Sequence, residues 1–112
     1  MPHLRWRGRL IDVPFNVIAE LESVRAGIVS ATAPSDDRTV ELISLWVAPF
    51  ARGCGLGDAL VSAVIAWARE QTAARVMLAV TPANGHAIAL YRRHGFVEDA
   101  RVDNERTMIR AL

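Results

Sequence analysis

The chain has 112 residues, 52% of them hydrophobic, with thirteen basic residues (all arginine) against twelve acidic ones and a formal net charge of +1. That length suits one domain spanning 1–112 with a sizeable core, and so apolar a composition excludes a disordered chain. The near-neutral balance gives no reason to expect a nucleic-acid or membrane-surface partner, and no stretch reaches the ~18 apolar residues of a membrane span. A single cysteine, Cys54, excludes an internal disulfide and fits a reducing cytoplasm.

Residues 1–14 are the least readable. Arg5, Arg7 and Arg9 alternate with Trp6 and Leu10, which suits an edge strand or a loose arm. Phe15 to Leu21 reads as a strand, Glu22-Ser23 as a turn, and VRAGIVSATA (24–33) as the hairpin partner, ended by PSDD at 34–37. TVELISLWV (39–47), rich in β-branched and aromatic residues, is a strand that ends at Pro49. Gly57, Leu60, Val61, Val64 and Ala68 then fall at helical spacing, with Asp58, Ser62 and Arg69 on the other face. This predicts an amphipathic helix from about 56 to 71.

RVMLAVT (75–81) holds five consecutive apolar residues, as expected of a strand buried on both faces, and Pro82 stops it. Asn84 is a good N-cap for a second helix, and Gly95 a good stop after LYRRH. FVEDARV and ERTMIRAL look like a closing pair of strands. The order is β-β-β-α-β-α-β-β, a mixed α/β sheet.

Three glycines, Gly53, Gly55 and Gly57, lie between a strand and a helix. Glycine is costly inside either element, so its recurrence implies close approach of the backbone to something. Free N–H groups and the helix dipole make such a junction an anion site. A Walker-type loop needs Lys and then Ser or Thr after its last glycine, but Asp58-Ala59 follow Gly57. The dinucleotide fingerprint needs a small residue where Leu60 stands and an early βαβ unit. A phosphate site and a merely structural turn both remain open on these residues alone.

Arg52-Gly53-Cys54-Gly55-Leu56-Gly57 resembles the Gln/Arg-x-x-Gly-x-Gly/Ala motif of the Gcn5-related N-acetyltransferase superfamily. Glu41-Leu42 through Leu45-Trp46-Val47 looks like that family's strand leading into the loop. NGHAIALYRRHGF (84–96) resembles its second motif, in which Asn opens a helix, Tyr follows seven residues on and Gly-Phe closes it. The resemblance covers about 16–112 and implies a largely antiparallel sheet with two main helices, direct acetyl transfer from acetyl-coenzyme A in a ternary complex, and no metal. The resemblance places the coenzyme on Leu45, Trp46, Val47, Arg52, Gly53, Cys54, Gly55, Leu56, Gly57, Asp58, Asn84 and Tyr91. The family's strand carries a bulge and splays to admit the pantetheine arm. Leu42 and Leu45, three apart where alternation needs two or four, agree with an irregularity near 43–46.

The resemblance makes Tyr91 the acid that protonates the departing thiolate, against plain packing beside Ala87 and Leu90. Glu41, eleven residues before Arg52, resembles the glutamate of the histone-acetyltransferase branch. It is weighed as a general base for an amine mostly protonated at neutral pH, against a solvated strand carboxylate. Arg52 is a candidate phosphate contact; for Arg92 and Arg93, at a helix C-terminus, the dipole is sufficient reason. Cys54 reads as a small loop residue, and His86 and His94 as surface residues at helix ends. Three histidines and one cysteine offer no metal-ligand spacing.

One departure stands out. The family fold begins with a strand and two helices that wall the acceptor pocket, and here only about fifteen residues precede the strand at 15–21. The acceptor, a small-molecule or protein amine, is therefore open. So are two alternatives: a coenzyme A-binding module with little transferase activity, and a subunit completed by another chain. Trp6, Leu10, Ile11 and Phe15 suggest a homodimer in which the arm packs on its neighbour, or an arm folded back on its own sheet.

Overall fold

The computed structural model describes residues 4–7, 15–102 and 105–112. β1 (Leu4–Arg7), β2 (Phe15–Leu21), β3 (Val24–Ala31) and β4 (Thr39–Val47) precede helix α1 (Leu56–Glu70). β5 (Arg75–Val80), α2 (Gly85–Arg93), β6 (Val97–Val102) and β7 (Glu105–Ala111) follow. The strands form one seven-stranded sheet, ordered β1-β2-β3-β4-β5-β7-β6. Every pairing is antiparallel except β4 with β5. The expected order therefore stands, with an edge strand added in front. Residues 1–3 and 8–14 of the expected arm, Leu10 and Ile11 among them, lie outside the described residues.

Local chemistry explains the joins. Glu22 and Ser23 both take positive φ, 54° and 67°, the conformation that lets a two-residue turn follow the twist of its strands. Asn84 caps α2 by accepting from the Ala87 amide at 3.2 Å. Gly95, at φ 86°, ends that helix in the left-handed region.

Both helices lie on one face of the sheet. α1 packs on β3, β4 and β5, and Leu90 of α2 rests against Gly57 of α1. Between helices and sheet sit Leu60, Val61, Val64, Val40, Val76, Leu78, Phe96 and Met108, each at most 1% exposed. Truncating one of the larger ones, such as Leu60, to alanine costs roughly 2–5 kcal/mol.

Two expectations change here. β5 is buried on one face, not both: Val76, Leu78 and Val80 meet the helices, while Met77 is half-buried and Ala79 exposed. A five-residue apolar run cannot distinguish two covered faces from one. In addition, Phe15 is no interface residue, since it is buried against Trp67 of its own α1 with ring centroids 5.1 Å apart. The stretch Leu4–Arg7 pairs with β2, so this part of the arm folds back on its own sheet. Among the described residues no helix is long and apolar enough to cross a membrane.

Candidate functional site

β4 and β5 run parallel over only three residue pairs: Thr39 with Arg75, Val40 with Val76 and Glu41 with Met77. Beyond Glu41 they part. Leu42 to Val47 pair only with β3, and Leu78 to Val80 only with β7. The cause of the divergence is visible in β4. Ser30 faces Ser44 while Ala31 faces Leu42, so Ile43 is an extra residue and the strand is bulged there. The irregularity expected near 43–46 is this bulge. A slot opens between two unpaired strand edges, at the C-terminal ends of parallel strands, where open α/β sheets bind ligands. A ligand rich in amides can enter such an edge as an added strand does.

The slot runs towards the glycine loop. After Val47 the Ala48 amide ties back to the Ala26 carbonyl at 2.7 Å, and a 3-10 turn, Pro49–Ala51, redirects the chain. Gly53 and Gly55 both take φ 81°. A Cβ at either position would meet nothing within 4 Å, so the backbone lies bare on that side. Gly55 is the N-cap of α1 and has no side chain to cap it. The first helical bond runs from the Ala59 amide to the Gly55 carbonyl, and the amides of residues 53–58 have no backbone acceptor among the described residues. Orphaned donors at a helix N-terminus form an anion-binding concavity.

The sequence-derived candidates fall into groups. Arg52, Gly53, Cys54, Gly55, Leu56, Gly57 and Asp58 form the loop and the first turn of α1. Leu45, Trp46 and Val47 line the β4 edge of the slot, with Leu45 and Val47 half-buried and Trp46 46% exposed. The Cys54 thiol turns back to donate to the Ala51 carbonyl at 2.7 Å, consistent with a loop residue. Gly57 has a packing role, because a Cβ there would stand 3.2 Å from Leu90 Cδ2.

Tyr91 is buried on α2 beside Phe96, with ring centroids 5.8 Å apart. Burial pushes its phenol above the ordinary value, so it keeps its proton through the neutral range. Glu41 occupies the last β4–β5 pair, where the slot closes. Val40 and Leu42 beside it point to the helices, so Glu41 points to the opposite face, half-buried. Its amide donates to Thr32 Oγ1 at 3.0 Å and its carbonyl accepts from the Thr32 amide at 2.9 Å. Tyr91 and Glu41 thus belong to opposite faces of the sheet.

Sequence reasoning missed one cluster. The Asp58 carboxylate accepts from Arg93 Nη2 at 3.2 Å and lies 2.8 Å from His94 Nε2. This joins the first turn of α1 to the end of α2. The side chain of His94 is only 18% exposed, so it is not the surface residue expected. The hydrogen bond with His94, aided by Arg93, holds Asp58 below the usual carboxylate range against the opposing effect of burial. An acid at a helix start and bases at a helix end each have a dipole reason to be there, which hides the pairing between them. The sequence also did not single out Ile43, Trp46 and Val97 as exposed residues of the face opposite the helices, where each is at least 46% exposed. A cavity of about 430 Å³ between Asp37, Arg75 and Ile109 lies at the N-terminal ends of β4 and β5, away from the loop.

The sequence profile of the acetyltransferase (GNAT) family matches residues 2–96. A mycothiol acetyltransferase of Salinispora tropica is 47% identical over 64 residues, which are 56% of this chain and 21% of that protein. An uncharacterized N-acetyltransferase of Mycobacterium bovis is 35% identical over 85 residues, 69% of this chain and 54% of its own length. The chain thus spans between about a fifth and about half of these relatives. Among solved structures, yncA of Salmonella typhimurium with its cofactor acetyl-CoA superposes with a TM-score of 0.76. It shares 27% identity over 87% of this chain and 64% of its own.

Proposed function

The chain belongs to the acetyltransferase (GNAT) family, and we propose that it moves an acetyl group from acetyl-coenzyme A to a primary amine by direct transfer. The observation that carries this is the slot between β4 and β5, which ends on a loop with six amides lacking backbone acceptors. The residues fit the co-substrate. The open space at Gly53 and Gly55 admits a pyrophosphate, with Arg52 beside it, and the unpaired edge of Leu45, Trp46 and Val47 suits the amides of a pantetheine arm. Asn84, the cap of α2, and Tyr91 within it follow β5 in the chain and would meet the coenzyme from that side.

In this arrangement Glu41 takes a proton from the acceptor ammonium, directly or through water, on the face away from the helices. The freed amine nitrogen then bonds to the acetyl carbon, the carbon–sulfur bond breaks, and the second nitrogen proton passes through water to the sulfur. Tyr91 offers its proton to the departing thiolate from the helix side. A thiol titrates near ~8.5, below a phenol. Full transfer from Tyr91 is therefore uphill, and its contribution is a hydrogen bond that strengthens as charge develops on sulfur.

A steady-state assay of thiol release over a panel of small amines and amine-bearing peptides tests the proposal. Release that depends on amine supports transfer. Coenzyme binding without turnover on any amine supports the second reading, a coenzyme A-binding module. That reading draws on the face opposite the helices, where Ile43, Trp46 and Val97 are large apolar residues left exposed. The same patch favours a homodimer through this face, or a partner that completes the acceptor wall. Sedimentation at tens of micromolar, with and without Trp46→Ser, decides whether copies associate there. A single exposed thiol, Cys54, suits a reducing cytoplasm.

A further inference from the structure

Behind the phosphate loop, a groove of about 470 Å³ runs along the outer side of α1, between that helix and the junction of α2 with β6. Ile65 and Ala66 form part of its lining, and Arg69, Arg93 and Arg110 project around it. Three guanidinium groups meet one carboxylate here, Asp58, which already holds Arg93 and His94. No carboxylate partner of Arg69 or Arg110 occurs among the described residues. We infer that this groove is a second anion site, for a small molecule carrying two oxyanion groups, phosphate or carboxylate.

Preorganisation supports this. Arg110 is not a loose surface side chain. Its Nε donates to the His94 carbonyl at 2.9 Å and its Nη1 to the Ala111 carbonyl. The absence of a Cβ at Gly95 makes that placement achievable, since one would stand 2.9 Å from Arg110 Cδ and Nε. Arg93 is held by Asp58 at 3.2 Å. Each retains N–H groups beyond those in use, because a guanidinium has five donors in a fixed fork that matches an oxyanion. For these two arginines little side-chain freedom is left for a ligand to freeze out, which favours binding.

The groove is separate from the glycine loop. Arg69 follows Asp58 by eleven residues, which at helical rise places it roughly 16 Å further along the axis. At that end the α1 dipole opposes an anion. The site therefore rests on its guanidinium groups alone, and its ligand must carry enough charge to engage at least two of them.

Calorimetric titration of the protein with inorganic pyrophosphate and, separately, citrate tests this, with coenzyme A saturating so that the loop is filled. One saturable event that weakens as salt rises is expected, and the tighter probe identifies phosphate or carboxylate as the favoured group. Arg69→Gln should weaken it roughly tenfold, and Ser62→Glu, a carboxylate placed in the groove wall, should abolish it. Both positions are exposed on α1, so the fold and the affinity for coenzyme A should be unchanged. No saturable event, or one that both variants leave intact, overturns the inference. A protein that takes up the probes but not coenzyme A, with the same response to Ser62→Glu, would refute the transfer proposal and leave this site standing.

Discussion

Replacing Gly55 by alanine separates what the glycine loop does for the fold from what it does for a ligand. Gly55 has φ 81°, where an L-residue is strained by roughly 1–2 kcal/mol. A Cβ there meets no protein atom within 4 Å, so strain is the whole cost to the fold. For a domain of this size that lowers Tm by roughly 5–15 °C. Coenzyme A at 100 times its dissociation constant should add about 2.7 kcal/mol to the unaltered protein, a rise on the order of 10 °C. In Gly55→Ala the methyl group projects into the space that the pyrophosphate needs, and this rise should vanish. Gly57→Ala is the control. Its Cβ would stand 3.2 Å from Leu90 Cδ2, the movable end of a side chain, and alanine is the better helix former by about 1 kcal/mol. Its Tm and its coenzyme response should both stay near those of the parent. Differential scanning fluorimetry of the parent and both variants, with and without coenzyme, reads all six values. A Gly55→Ala protein with the full coenzyme-induced rise would refute close backbone approach at this loop.

Tyr91→Phe should lower turnover by roughly 10²–10³-fold with coenzyme affinity nearly intact; an unchanged rate would leave Tyr91 a packing residue only. Because burial raises the Tyr91 pKa, the stability it contributes is complete below about pH 10 and is lost as pH rises through its folded value. Alkaline unfolding of the parent should therefore be steeper than that of Tyr91→Phe. Glu41→Gln should impair turnover most at low pH, where few amines are neutral, and a defect that is constant from pH 6 to 9 would indicate positioning instead. Asp58 is held low, so its contribution is present above about pH 4 and fades as pH falls through its folded value. With its side chain 42% exposed, solvent screening limits the Asp58→Asn cost to under about 1 kcal/mol at neutral pH. Urea titrations should show that difference shrinking at pH 3.

Much of the fold was legible because its punctuation is chemical. Asn84 caps α2, Gly95 ends it, Glu22-Ser23 turn the first hairpin, and the 39–47 strand appears with the bounds expected. The bulge at Ile43 was legible from a broken alternation. What escaped depends on pairing between distant segments. Nothing in RVMLAVT says that one face of β5 lies open, since apolar runs look alike under one cover or two. Phe15 resembled an interface residue because Trp67, its partner, lies on an element whose place in space is not written locally. The Asp58 link to Arg93 and His94 was masked because each partner is already explained by its own helix end.

The three residue pairs that join β4 to β5 are a narrow seam between two half-sheets, β1 to β4 on one side and β5, β7 and β6 on the other. Below the seam α1, lying across both, joins the halves, helped by the Ala74 amide on the Arg38 carbonyl and by Arg75 on Asp37 and Thr39. Without ligand, the amides of residues 42–47 and 78–80 that face the slot should exchange with solvent through small openings that spare the rest of the sheet. A molecule that hydrogen-bonds into the slot becomes the strand the sheet lacks, and the two halves should then open only together. Substrate and architecture are in that sense one structure, completed at each turnover and divided again at each release.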